Sequence, residues 1–160
     1  MRLKDKVALI TGGGGDVAIA IAAKFIENGA KVVLTDLNEP LLHTSAQKIN
    51  GGEALQTVIG NVCLLEDQQR AVDLAVSRYG RLDIMVPCAG VIRHLPIDEM
   101  SAEDWKWVVD INLTGVFLSC KAAVPVMKRQ QAGRIVMISS VGGRTGRAKV
   151  GVNYAASKAG

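Results

Sequence analysis

Val7-Ala8-Leu9-Ile10-Thr11-Gly12-Gly13-Gly14-Gly15-Asp16-Val17-Ala18 joins a short apolar run to a glycine-rich turn and then to residues that resume helical spacing. This order predicts a strand, a phosphate-binding loop and the start of a helix. The strand is apolar at nearly every position and is entered from the charged Lys4-Asp5-Lys6, the pattern of a parallel strand buried on both faces. The glycines let the chain turn sharply, bring backbone N–H groups close to a ligand and aim the next helix N-terminus at a phosphate. A second apolar run, Lys31-Val32-Val33-Leu34-Thr35, ends at Asp36, 21 positions after Gly15. A carboxylate at that distance can accept hydrogen bonds from a ribose 2′-OH, so the unit points to dinucleotide binding.

The rest of the composition narrows the setting. The 160 residues suffice for one domain with a sizeable core. Hydrophobic residues make up 49% and the mean hydropathy is +0.23, on the apolar side. Nineteen basic against 15 acidic residues give a net charge of +4, but the cations are dispersed with no block of five or six, which leaves a nucleic-acid role unsupported. Cys63, Cys88 and Cys120 are odd in number, widely spaced and form no C-x-x-C pair. Neither a disulfide framework nor a metal site is suggested, and a reducing cytoplasm is expected. The first strand begins within a few residues of Met1, leaving no room for a signal peptide. The most apolar long window, Trp107 to Met127, contains Asp110, Asn112 and Lys121, which predicts a buried core helix rather than a membrane span.

Taken in order, helical intervals are predicted from Asp16 to Asn28, from Asn38 to about Ile49, from Leu64 to Tyr79, and as one long helix from Ser101 past Asn112 to about Arg129. Strands are predicted at Ala54 to Ile59, Leu82 to Val86 and Gly133 to Ser140, with Gly142 to Val152 a loop and Asn153 opening a last helix. Strand and helix alternate without repeat or linker, so the fold class is a doubly wound parallel α/β sheet, Rossmann-like, with five strands. Ligands in such sheets sit outside the carboxyl ends of the strands. The loops at 11–18, 36–38, 60–62, 87–94 and 139–153 fall there.

These residues together resemble the short-chain dehydrogenase/reductase family. The matches are Thr11-Gly12-x-x-Gly15, Asp36, the turn ending Ala89-Gly90, Asn112 within Asp110-Ile111-Asn112-Leu113-Thr114-Gly115, Ser139-Ser140, and Tyr154-Ala155-Ala156-Ser157-Lys158. The resemblance implies hydride transfer between a nicotinamide cofactor and an alcohol or carbonyl carbon of a small-molecule substrate. It implies cofactor contacts from Gly12, Gly15, Asp16, Val17, Asp36, Leu37, Asn61, Val62, Ala89, Gly90, Tyr154 and Lys158. Tyr154 would be the general acid/base. A free phenol ionises near ~10, and an ammonium at ~4 Å in an effective dielectric of ~20 supplies about 4 kcal/mol toward the phenolate, a task for Lys158 one turn along the helix. Ser140 would orient the substrate oxygen, and Asn112 would support a water that relays protons to Lys158. Asp36 implies NAD over NADP, because its charge repels a 2′-phosphate. The family's habit implies a homo-oligomer, a tetramer or dimer, formed through the helices at Asn112 and Tyr154.

The chain also departs from the pattern. Asp16 stands where glycine is usual and could cap the first helix itself. Asn61 stands where an aspartate usually meets the adenine. Pro87-Cys88 replaces two asparagines, which bears on stability more than on chemistry. The family's further strands and its substrate-covering lid have no counterpart in the sequence, so the fifth strand is expected to expose an apolar edge and the chain to be a single domain lacking its lid. Two other functions therefore stand beside catalysis, a non-catalytic nucleotide-sensing domain and an inactive fragment. Among the remaining residues, His43, His94, Arg144, Arg147 and Lys149 read as solvated, Cys88 as a buried structural thiol, and Trp105 and Trp107 as helix-face packing residues.

Overall fold

A computed structural model describes residues 1–146 and 150–160. Arg147 and Lys149 lie outside the described residues. Five parallel strands form the sheet, β1 (Val7–Thr11), β2 (Lys31–Asp36), β3 (Leu55–Ile59), β4 (Ile84–Val86) and β5 (Arg134–Ile135), in the order β3-β2-β1-β4-β5. The chain winds outward from β1 through β2 to β3, then returns to the other side for β4 and β5. That reversal opens a crevice at the carboxyl ends of β1 and β4, where such sheets bind ligands.

Helices cover both faces: α1 (Asp16–Glu27), α2 (Glu39–Ile49), α3 (Leu65–Tyr79), α4 (Ala102–Val109) and α5 (Gly115–Gln130), with the shorter α6 (Gly142–Thr145) and α7 (Val152–Ala159) after the sheet. Alternation along β1 sorts the core. Val7 and Leu9 face Ala71, Val72 and Ala75 of α3 and Ala122, Ala123 and Val126 of α5. Ala8 and Ile10 face Ala18 and Ala22 of α1 and Leu42 of α2. All five β1 residues are buried, as the uninterrupted apolar run predicts. Each fully buried Val, Leu or Ile contributes about 1.5–3 kcal/mol. The alanines of α1 have no bulk beyond Cβ, so this helix lies close enough to carry its N-terminus to the crevice.

Several boundaries differ from the sequence reading, each for a local reason. The interval from Ser101 is one continuous helix, Ala102–Gln130, as read, but it carries a π turn at Asp110–Thr114 between α4 and α5. The ladder of β5 ends after two residues, because its neighbour β4 itself stops at Val86, before Pro87. The N–H of Val136 still bonds the carbonyl of Met85 at 2.9 Å, but Val136 and Met137 are exposed along the outer edge. A 3-10 turn at Gly52–Ala54 precedes β3, and Gly142–Thr145 is a short helix within the interval read as a loop. Ala102–Gln130 is long and apolar enough to cross a membrane by length and composition, yet only 33% of its most apolar window is buried. The reading as a buried core helix thus holds for one face, and the other exposes Leu113 and Phe117.

Asp83 fastens the sheet's amino-terminal end. It is 5% exposed, accepts from the backbone N–H of Val7 at 3.0 Å and from Arg81 at 2.6 and 2.7 Å, and lies 3.5 Å from the Lys6 ammonium. Burial pushes its carboxyl up, but Arg81, the Val7 N–H and Lys6 together outweigh that and hold it below the usual carboxylate range. A lowered folded-state pKa stabilises the fold above the unfolded carboxyl's value, roughly pH 4, and that contribution is lost as pH falls through the folded value. Asp83→Asn is therefore predicted to cost about 1.5–3 kcal/mol in urea denaturation at pH 7, with the gap from wild type shrinking on acidification below roughly pH 4. An equal gap at both pH values would contradict the assignment.

Candidate dinucleotide and proton-transfer site

The glycine turn is built by close backbone approach. Gly12 has φ +71°, and a Cβ there would lie 2.7 Å from the Ala89 Cα. Gly13 donates to the Thr35 carbonyl at 3.0 Å, and Gly15 donates back to the carbonyl of Gly12 at 3.0 Å. The Thr11 hydroxyl accepts from the N–H groups of Cys88 at 3.0 Å and Ala89 at 3.1 Å, joining the ends of β1 and β4. Gly15 is the N-cap of α1 and provides no side-chain cap. Asp16 does not take that role: it is the first helical residue and its side chain is exposed, because the extended Gly15 already ends the turn. The first amides of α1 thus have no side-chain acceptor and present the positive end of the helix to the crevice.

A cavity of about 840 Å³ opens above this turn. Ten of the residues singled out in the sequence line it: Gly12, Gly15, Asp16, Val17, Asp36, Leu37, Asn61, Val62, Ala89 and Gly90. Asp36 is held by both oxygens, Oδ2 accepting from Gly14 N–H at 2.9 Å and Oδ1 from Asn38 N–H at 2.8 Å. A carboxylate has about four lone-pair sites, so two remain to accept from hydroxyls. Donor amides at one point, a carboxylate at another and a floor from which Cβ atoms are absent fit a dinucleotide's pyrophosphate and ribose.

Asn61 is fixed in its loop. Its N–H donates to Asp67 Oδ2 at 2.7 Å, its carbonyl accepts from buried Gln68 at 3.3 Å, and its Oδ1 accepts from Cys63 N–H at 2.9 Å. Gln68 in turn accepts from Ser119 of α5 at 2.9 Å. Val62 presses on Gly115, where a Cβ would lie 2.9 Å from Val62 Cγ2.

Sequence reasoning missed three members of the wall, Leu41 of α2 among them. Trp107 and Ile111 line the cavity from α4 and the π turn, four residues apart and hence on one face. That spacing was the available signal. The Arg93 guanidinium lies 5.9 Å from the Trp107 ring centre and bonds Asp104 at 2.9 Å. Cys88 both packs on the sheet and lines the cavity, so the reading as a structural thiol describes half of its environment. Burial pushes its thiol up against the opposing pull of the Lys158 ammonium, leaving it protonated at neutral pH.

Ser140, Tyr154, Lys158 and Asn112 do not line this cavity, although Lys158 and Asn112 reach Gly90 at its edge. Ser140 Oγ accepts from Gly142 N–H at 3.1 Å. A Cβ on Gly142 would lie 3.5 Å from Ser140 Oγ and 3.5 Å from the Tyr154 ring edge, so both side chains border the bare α-carbon. The Lys158 ammonium donates to the Ile138 carbonyl at 2.8 Å and lies 5.9 Å from the Tyr154 ring centre. A Cβ on Gly90 would meet it at 3.5 Å and Asn112 Oδ1 at 3.4 Å, which puts both groups at the cavity's end.

Asn112 occupies the π turn. Its Oδ1 accepts from Val91 N–H at 2.8 Å, and its amide donates to Val91 O at 2.9 Å and to Ser157 Oγ at 3.1 Å. Ser157 passes the link to the Tyr154 carbonyl at 2.8 Å, and Asn153 ties the start of α7 to the Asp104 carbonyl at 3.1 Å. The amide of Asn112 is thereby spent on fixing three segments against one another. Gly12→Ala, which combines positive φ with a backbone clash, is predicted to destabilise the fold by more than about 1 kcal/mol and to abolish dinucleotide binding, measured by denaturation and by NADH fluorescence titration. Wild-type affinity in this variant would show that the approach to Ala89 is dispensable.

The family profile described as short chain dehydrogenase matches residues 6–160. Zerumbone synthase of Zingiber zerumbet is 39% identical over 143 residues, covering 88% of this chain and 54% of that protein. A 3-oxoacyl-(acyl-carrier-protein) reductase of Thermotoga maritima is 38% identical over 162 residues, covering 100% of this chain and 65% of its own length. Among solved structures, NAD+-bound xylitol dehydrogenase superposes with a TM-score of 0.94 at 29% identity, covering 99% of this chain and 62% of the other. A glucose/ribitol dehydrogenase from Brucella melitensis gives 0.91 at 32% identity, covering 99% and 66%. The chain thus spans between 54% and 66% of the length of these relatives. With the reversed strand order, the glycine turn seated on Ala89 and a profile match running from residue 6 to residue 160, the chain belongs to the short-chain dehydrogenase/reductase family.

Proposed function

We propose that the protein is an NAD-dependent oxidoreductase that interconverts an alcohol and a carbonyl on a small molecule of polyol, sugar, hydroxysteroid or oxoacyl type. The observation that carries this reading is the placing of Ser140 and Tyr154 against the same bare α-carbon, Gly142, with the Lys158 ammonium 5.9 Å from the Tyr154 ring centre and at the Gly90 end of the cavity. The nicotinamide, when bound, supplies or accepts the hydride. Tyr154 gives its proton to the carbonyl oxygen in reduction and takes one from the alcohol in oxidation. The ammonium one helical turn away favours the phenolate left behind. Ser140 already accepts from Gly142 N–H, so its own O–H is available to orient the substrate oxygen. Asn112 keeps Val91 and α7 in register around these groups.

Asp36 supports NAD over NADP, since its fixed carboxylate would face a 2′-phosphate. Exposed Leu113 and Phe117, four residues apart on the π turn and α5, support a homo-oligomer, and three free cysteines suit a reducing cytoplasm.

Tyr154→Phe is predicted to lower turnover by about 10²–10⁴-fold with NADH affinity unchanged, read from steady-state rates and fluorescence titration. Undiminished turnover would remove Tyr154 from the mechanism, and NADH binding without any wild-type turnover would favour a sensing role. Asp36→Ser is predicted to narrow the NADH-over-NADPH affinity ratio at least about tenfold, ~1.4 kcal/mol. An unaltered ratio would mean that another residue selects the cofactor.

A further inference from the structure

Asn153 immediately precedes Tyr154 and is 0% exposed, yet no step of the proposed chemistry uses it. Both ends of its amide are engaged, in opposite senses. Oδ1 accepts from the Tyr154 N–H at 2.7 Å, and Nδ2 donates to the Asp104 carbonyl of α4 at 3.1 Å. A donor on one side and an acceptor on the other are met together by an amide, and by neither an ionised carboxylate nor an apolar side chain of the same size.

The first of these bonds does what the helix cap leaves undone. The opening N–H groups of a helix have no intrahelical partner, and Gly151, the N-cap of α7, has no side chain to meet them. Residue 151 has no room for one either, because a Cβ there would lie 2.2 Å from the Arg93 carbonyl oxygen and 2.6 Å from Asn153 Oδ1. The second bond ends on a fixed point. Asp104 stands in the first turn of α4, where its N–H donates to Ser101 Oγ at 3.0 Å and its carboxylate accepts from Ser101 Oγ at 2.8 Å and from Arg93 at 2.9 Å. Arg93 thus reaches α4 through its guanidinium and borders Gly151 through its carbonyl, so three segments meet at the turn that carries Tyr154.

We propose that Asn153 is a positioning residue for Tyr154: by capping the first turn of α7 and tying it to α4, it holds the phenol where a proton is exchanged with the substrate oxygen. This inference rests on the proposed oxidoreductase function. Lys158 is held from another side, its Nζ donating to the Ile138 carbonyl at 2.8 Å and its own carbonyl accepting from Ser139 Oγ at 2.7 Å. Loss of the Asn153 amide therefore loosens the turn with Tyr154 and leaves the turn with Lys158 anchored. The dinucleotide cavity, which neither Asn153 nor Tyr154 lines, keeps its walls. A small misplacement of a reacting group is enough to slow the chemical step.

The test compares purified wild type, Asn153→Ala and Asn153→Ser in steady-state turnover with a polyol, a sugar, a hydroxysteroid and an oxoacyl thioester, with NADH affinity read by nicotinamide fluorescence. On the substrate that wild type turns over, Asn153→Ala is predicted to lower kcat by about 10–100-fold. KM and NADH affinity should stay within about twofold of wild type, the split that separates lost positioning from lost binding. Asn153→Ser, whose side chain is one bond shorter and loses its reach to the Asp104 carbonyl, should be slowed as well, and it serves if the alanine variant does not fold. Wild-type kcat in the variants would overturn the role of Asn153 while leaving the oxidoreductase intact. Parallel loss of turnover and NADH affinity would overturn it too, since the residue would then support the whole fold and not Tyr154. Wild type that turns over none of the four compounds would overturn the proposed function and this inference with it.

Discussion

Gly12 and Ala89 meet backbone to backbone, closer than any side chain at residue 12 would allow. The ends of β1 and β4 can be neighbours, with Thr11 bonding both Cys88 and Ala89, only because that side chain is missing. The same left-handed residue turns the chain so that α1 begins at the crevice with its first amides directed into it. One missing Cβ therefore sets both the packing at the centre of the sheet and the place where an anion can bind. The small side chains of Ala18 and Ala22, wholly buried, extend the same logic along α1.

A second constraint holds the far end of the site. Helices α4 and α5 run into one another through the π turn at Asp110–Thr114, and Asn112 occupies that turn with every amide hydrogen engaged. Its bonds run to the segment after β4 and, through Ser157, to the helix that carries Tyr154 and Lys158. Three segments distant in sequence are positioned by one buried side chain. Leaving the Val91 N–H unpaired in this place would cost about 1–3 kcal/mol, so the arrangement resists loosening.

The strands nearest the centre were legible because burial on both faces writes an uninterrupted apolar run, and Val7–Thr11 and Lys31–Asp36 have no other reading. The ten cavity-lining residues singled out in the sequence were legible through the glycine spacing, Asp36 and the family resemblance. The short β5 was not, since Arg134 to Ile138 is as apolar as an interior strand and its length is set by the neighbour β4. The extra residue of a π turn leaves no mark in a 3.6-residue period. Trp107 looked like packing because an aromatic on a helix face carries no sign of whether a core or a cavity lies opposite. The direction of the Asn61 amide was likewise invisible, being decided by the Cys63 N–H two residues on.

Amide hydrogen exchange with and without NADH tests most directly the central claim, that one cavity at the carboxyl ends of β1, β2, β3 and β4 holds the cofactor. Added NADH is predicted to slow exchange in residues 12–18, 36–38, 60–62 and 88–91 together, with the rest of the sheet unchanged. Slowing confined to other segments, or none at saturating NADH, would contradict the account.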